Sequence, residues 1–264
     1  MKFRVVVLLF VFLLLTVETA VAQVTSDRLT QSEARETRRI ARLFSRRLLE
    51  TKNIQPLLPE FFASNFLDGY FHDSNNWLFF LDRDAARRFS RSDVERYYVA
   101  QINWLYLHDL YFYSRHSSTE DWGDATGEEM VERTLPPDVL RLVTSNPYFI
   151  AASRPNGEVD ESAMMIRNVE QLRSTAETME RAGALLRSHA NRIRAGRTRQ
   201  YQSSLADWRE RFNHYQPWLR VCTESCLGLP EGTRLITVNV PSLQLVMANI
   251  NGQMKIVKAT YYIG

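Results

Sequence analysis

One dipeptide near the C-terminus constrains this chain more than any other feature. Asn251-Gly252 separates two alternating runs, LQLVMANI before it and QMKIVKATYYI after it. A two-residue loop with positive φ at both residues matches the twist of paired strands, and Asn-Gly adopts it with little strain. The spacing predicts a hairpin with Asn249 opposite Met254, Met247 opposite Ile256 and Leu245 opposite Lys258. Leu243, Leu245, Met247, Met254 and Ile256 then share one face, the face expected to pack on the rest of the chain. Just upstream, TRLITVNV alternates with Ile236, Val238 and Val240 on one side, and Pro241-Ser242 turns the chain into the hairpin. An antiparallel meander of three or four strands is therefore predicted over 217–264. A sheet of that size is not stable alone and needs a helical layer over it.

The preceding residues supply that layer. Residues 30–50 read as an amphipathic helix opened by the capping-box pair Thr30 and Glu33. Ile40, Phe44 and Leu48 recur every four residues, and Arg38, Arg39, Arg42, Arg46 and Arg47 fill the other face. A second helix is predicted over 55–69, with Pro56 in its first turn. Ser92 and Glu95 have capping-box spacing and predict a helix to about residue 114. Pro136-Pro137-Asp138 predicts a short helix ending near Ser145. The longest helix is predicted over 160–196, with Val169, Leu172, Leu186 and Ile193 on its apolar side, and a further one over 199–214. The fold class is α+β: a mostly helical body over 23–216, then the meander over 217–264, as one domain.

The N-terminus carries an export pattern. Lys2 and Arg4 precede an unbroken apolar run, Val5 to Leu15, and Ala20-Val21-Ala22 offers small residues for cleavage after Ala22. Eleven apolar residues fall well short of the ~20 that span a bilayer. The expectation is a periplasmic or extracellular protein of 242 residues with no membrane span after removal of 1–22. In such a compartment Cys222 and Cys226 are candidates for a disulfide.

Two segments resemble NTF2-like (SnoaL-like) domains. The helix followed by Glu50-Thr51-Lys52-Asn53-Ile54, then Leu57, Leu58 and Phe61, resembles their opening. Val246 to Tyr262, with Asn251-Gly252 and Met254-Lys255-Ile256-Val257, is similar to their last hairpin. The resemblance implies a curved sheet and helices around an apolar pocket, with no fixed catalytic set. The chain departs from the family in length, because a long and mostly helical stretch separates the two ends.

Composition removes several functions. With 33 basic and 30 acidic residues the chain is close to neutral, which gives no footprint for nucleic acid. No HExxH, GxSxG, Walker or GxGxxG pattern occurs, and no cofactor is implied. A metal site would need more ligands than Cys222, Cys226 and nearby His214 provide, and Asp121, Asp124, Glu128 and Glu129 lack calcium-loop spacing.

The remaining candidates are few. Trp104, Tyr106 and Tyr113 could line an apolar site, with His108 and His116 nearby but about 80° apart around a helix. His108, His72 and Asp73 are candidate acid/base groups, although neighbours such as His108 and Asp109 do not face each other on a helix. Arg187, Arg192, Arg194, Arg197 and Arg199 form the densest anion patch, and the arginines of the first helix form another. The leading expectation is a non-enzymatic exported protein that binds an apolar small molecule or an envelope protein. The alternative is a hydrolase- or isomerase-type enzyme with a His/Tyr/Asp site.

Overall fold

Local signals start the fold. The computed structural model describes residues 28–72, 81–115, 135–146, 165–196, 206, 216–222 and 226–261. Helix α1 spans Gln31–Thr51, and its capping box forms as predicted: the Thr30 side chain accepts from the Glu33 N–H while Glu33 reaches back to the Thr30 N–H. Its buried side is Thr37, Ala41, Phe44 and Leu48. Lys52 ends it in the left-handed region, φ 51°, and its carbonyl accepts from Arg187.

The helix predicted over 55–69 does not form as one piece. A 3-10 turn at Gln55–Leu57 leads to α2 (Leu58–Phe61), and α3 (Asp68–His72) follows after a break. Pro59 is tolerated in the first turn of α2 because its missing N–H has no helical partner there. Phe62 is extended, and Ala63 donates its N–H to Ile256 on the sheet. A tertiary hydrogen bond thus takes the backbone out of the helix. Helix α4 is Arg83–Ala86.

Helix α5 spans Arg91–Arg115. It is capped by Ser90 and Asp93 rather than by Ser92 and Glu95: the Ser90 hydroxyl accepts from the Asp93 N–H and donates to the Asp93 carboxylate. Helix α6 is Pro137–Thr144, close to expectation. Helix α7 is Val169–Gly196, starting later than predicted because Asn168 and Gln171 cap each other's backbone N–H groups. Val169, expected on the apolar side, is exposed, whereas Leu172, Ala182, Leu186 and Ala190 are buried. The leader, the helix over 199–214 apart from residue 206, and the acidic loop lie outside the described residues.

Four strands form one antiparallel meander in chain order: β1 (Trp218–Val221), β2 (Arg234–Val240), β3 (Leu243–Ile250) and β4 (Gln253–Tyr261). Asn251 and Gly252 both have positive φ, 50° and 82°, as the two-residue turn requires. Asn249 pairs with Met254 and Met247 with Ile256, but Leu245 lies opposite Ala259, not Lys258. The correction comes from a β-bulge at Val246/Met247 that leaves Val257 without a direct partner, a shift that hydrophobic alternation does not reveal.

The helical body and the sheet share one large core. Phe44, Phe61, Phe62, Phe66 and Tyr98 form a chain of ring contacts with centroids 5.2–5.9 Å apart. They belong to the same cluster as Val238, Val240, Leu243, Leu245, Met247, Ile256 and Ala259, and Met254 packs against it. The predicted inward face of the hairpin is therefore the observed one. The Tyr98 hydroxyl donates to the carbonyl of Ala259. Burial pushes the phenols of Tyr97 and Tyr98 well above their ordinary range, so both stay neutral.

Candidate functional site

Helix α5 carries most of the residues that a site could use. It is apolar over much of its circumference, as a helix enclosed by other elements must be. Tyr97, Tyr98, Leu107, Leu110, Tyr111 and Phe112 are all buried. Trp104 and Tyr106 are 7 % and 2 % exposed and belong to the main cluster. Their rings are engaged in packing between helices. The side chains of Tyr113 and His72, and Asp73 and His116 altogether, lie outside the described residues.

Near the end of α5 the structure assembles a polar group that the sequence did not suggest. The Tyr261 hydroxyl, at the end of β4, donates to Asp109 Oδ1 at 2.6 Å. His108 Nδ1 lies 3.7 Å from the same oxygen, too far for a hydrogen bond. Although adjacent on the helix, His108 and Asp109 bring a ring nitrogen and a carboxylate oxygen this close to each other. The Trp104 ring sits 6.1 Å from the imidazole. Asp109 is buried and His108 is partly exposed. Tyr261 is 152 residues from Asp109 in sequence, so no local pattern could have paired them.

A second histidine site joins α6 to α7. His189 Nε2 lies 2.9 and 3.0 Å from the two carboxylate oxygens of Asp138, and Arg192 Nη2 is 3.1 Å from Nδ1. Arginine can only donate, so of the two neutral tautomers the one with the proton on Nε2 suits both partners, donating to Asp138 and accepting from Arg192 at Nδ1. Burial pushes the Asp138 carboxyl up, but the hydrogen bond and charge of His189 together with backbone N–H groups hold it below the ordinary carboxylate range. With both imidazole nitrogens engaged, this group acts as a clasp between two helices.

Cys222 and Cys226 are joined in a disulfide, with Cα atoms 5.9 Å apart. Among the described residues no group of three or more His, Cys, Asp or Glu side chains could hold a metal ion. No helix among them is long and apolar enough to cross a membrane.

Two surface depressions run along α1. One, of about 490 Å³, lies between α1 and the β3–β4 hairpin. Ile40 and Met254 give it apolar surface, while Glu36, Arg39, Glu60, Asn249, Gln253 and Lys255 give it a polar rim. The Lys255 ammonium is held by the carbonyl of Glu60 at 2.7 Å. At the same end of α1, Arg234 of β2 binds the Glu33 carboxylate at 2.8 and 3.0 Å. These bonds, against an opposing effect of burial, hold the Glu33 carboxyl at about 2. The other depression, of about 790 Å³, is lined by Arg35, Arg38, Arg39, Arg42 and Arg46 with Ser32, Glu36 and Leu43.

No protein-family model, curated protein or solved structure matches the chain.

Proposed function

We propose that the chain is an exported, non-enzymatic protein that binds a protein partner in the cleft between α1 and the β3–β4 hairpin. The cleft carries this reading. Its walls come from α1 and the hairpin, with Glu60 of α2 at the rim, and it sets Ile40 and Met254 among polar groups. An apolar anchor surrounded by polar groups is how protein interfaces are built. Export is supported by the leader pattern and by the disulfide, which fits an oxidising compartment. A protein partner is favoured over an apolar small molecule because Trp104 and Tyr106 are engaged in the core. The NTF2-like resemblance is retained as a proposal about the fold. It is supported by the packing of its two carriers, α1 and the last hairpin, against each other.

A photo-crosslinking residue at Gln253 in the native host tests the reading. A discrete protein adduct is expected there and not at the exposed control position Glu231. Absence of adducts at Gln253 would sink it.

A second reading rests on the Tyr261–Asp109–His108 group, which has the residue types of an acid/base site. It requires that the purified protein turn over an ester or a ketone with an acidic α-proton. It also requires that Asp109→Asn abolish the turnover while leaving the thermal midpoint within a few degrees.

A further inference from the structure

The two outer strands of the sheet are finished differently. The outer edge of β4 receives hydrogen bonds from the Ala63 N–H and the Tyr98 hydroxyl. β1 stands at the other end of the strand order, and no described element pairs with its outer edge. An open edge is a template for a further strand. We propose that β1 pairs with β1 of a second copy of this chain, antiparallel and centred on Leu219, so that the two sheets run on as one. The inference stands apart from the cleft reading, because the cleft lies between α1 and the β3–β4 hairpin.

The strand register decides which backbone groups of β1 point outward. Val240 and Leu243 flank a two-residue turn and lie opposite each other. Such a pair exchanges both of its hydrogen bonds. Bonding then alternates along β2, so Leu235 and Thr237 bond toward β1. Their partners there are Arg220 and Trp218. Cys222, next in the same alternation, donates its N–H to Thr233 at 3.0 Å. Leu219 and Val221 therefore turn their N–H and C=O groups away from β2. With a two-fold axis at Leu219, these groups meet their counterparts on Leu219 of the second copy, and Val221 donates to the carbonyl of Pro217 there. Pro217 has no N–H to offer and ends the ladder on each side.

The same register makes the side chains self-complementary. Residues directly opposite share a face, so Trp218 stands against Arg220 of the second copy, twice about the axis. Both are exposed, Trp218 by 44 %, and among the described large hydrophobic residues only Val169 shares that exposure. A guanidinium over an indole is a favourable cation–π pair. This pair also falls where no hydrogen bonds join the two strands, the level at which opposite side chains approach most closely. Other registers fit less well. Centring on Arg220 opposes two guanidinium groups. Centring on Trp218 sets Leu219 against Pro217 and leaves the Leu219 carbonyl without a donor. The Cys222–Cys226 bond fixes the chain just past β1, so little ordering is left for association to impose.

The test is sedimentation velocity on the chain without residues 1–22 over a wide range of concentration. A monomer–dimer equilibrium is expected that dissociates on dilution, because a strand of 4 residues buries little surface. Trp218→Lys opposes like charges and is expected to weaken the dimer about tenfold or more. Trp218→Glu sets a carboxylate against Arg220 of the second copy and is expected to keep the dimer. Leu219→Pro removes an N–H that β2 does not use and is expected to leave a folded monomer, checked by circular dichroism. If that variant fails to fold, the two Trp218 variants decide. A wild type that stays monomeric at every concentration overturns the proposal, as does a dimer that survives Trp218→Lys or a folded Leu219→Pro. Equal loss in Trp218→Lys and Trp218→Glu overturns it too, since an apolar contact without this register would behave so. In the native host, a photo-crosslinking residue at the exposed Gln216 is expected to give an adduct of two copies of the chain. An adduct with a different protein instead would mean strand addition by another partner and would remove the second copy as the occupant.

Discussion

The two faces of the sheet are buried by different means. One is covered by helices and carries Phe44, Phe61, Phe62, Phe66 and Tyr98 against the inward residues of β2, β3 and β4. The other meets a small cluster made of Ala63, Cys222, Leu227, Leu229, Leu235, Val246, Ala248 and Val257. Much of its cover is the turn segment that carries the Cys222–Cys226 bond. Gly232 donates its N–H to the carbonyl of Cys222, and Leu229 donates to Cys226. The comparison teaches that side-chain volume orders one face. The other has too little of it, and there a covalent link and local hydrogen bonds hold the cover.

The strongest way to test that contrast is to remove one ring. Phe44 is fully buried and touches both Phe61 and Phe62 edge-on. Phe44→Ala is expected to cost about 3–5 kcal/mol, because the cavity lies between a helix and a sheet that cannot collapse together. Urea unfolding followed by circular dichroism would measure it. On the other face Leu235 is equally buried. Leu235→Ala is expected to cost less, about 2–3 kcal/mol, because a short turn segment can settle into the space. Equal costs would break the comparison.

The disulfide gives the next effect. It closes a small loop, with a sequence separation of 4. The chain-entropy contribution is then roughly 2 kcal/mol. Cys222→Ser/Cys226→Ser should lower the free energy of unfolding by that amount, read from the shift of the urea midpoint. In this background the cost of Leu235→Ala should shrink while that of Phe44→Ala stays unchanged. Residues in one small cluster couple, whereas distant ones add.

The same contrast explains what the sequence disclosed. Alternation and the Asn-Gly turn were enough for the hairpin and its inward face, and capping chemistry was enough for α1. These are signals within a few residues of one another. The failures needed information from elsewhere in the chain. The bulge that moves Leu245 onto Ala259 answers packing on both faces of β4. The break after Phe61 answers a hydrogen bond to Ile256, nearly two hundred residues away. The Tyr261–Asp109 bond joins a strand end to a helix that share no local pattern. Two of the misplaced helix starts were readable. Ser90 with Asp93, and Asn168 with Gln171, are capping pairs that lay in the sequence beside the readings preferred to them.

The smallest effect concerns the link between the helical cover and the sheet. Glu33 serves both: it completes the α1 capping box and faces Arg234 of β2. Glu33→Gln keeps a side chain that can reach the Thr30 N–H, so the cap survives and the charge facing Arg234 is lost. Both partners are about a quarter exposed, so water screens the pair and the expected cost at neutral pH is about 1 kcal/mol. The sign follows from the Glu33 carboxyl, held at about 2 in the folded chain by Arg234 against an ordinary 4.5. The unfolded chain takes up this proton first, so the stabilisation is complete above the ordinary value and fades as pH falls through it toward about 2. The gap between the wild type and Glu33→Gln should therefore close across that window, while other acidic groups destabilise both chains alike. A gap that stayed constant through the window would mean that Glu33 acts through the cap alone. The contact between α1 and β2 would then rest on packing, without the charge.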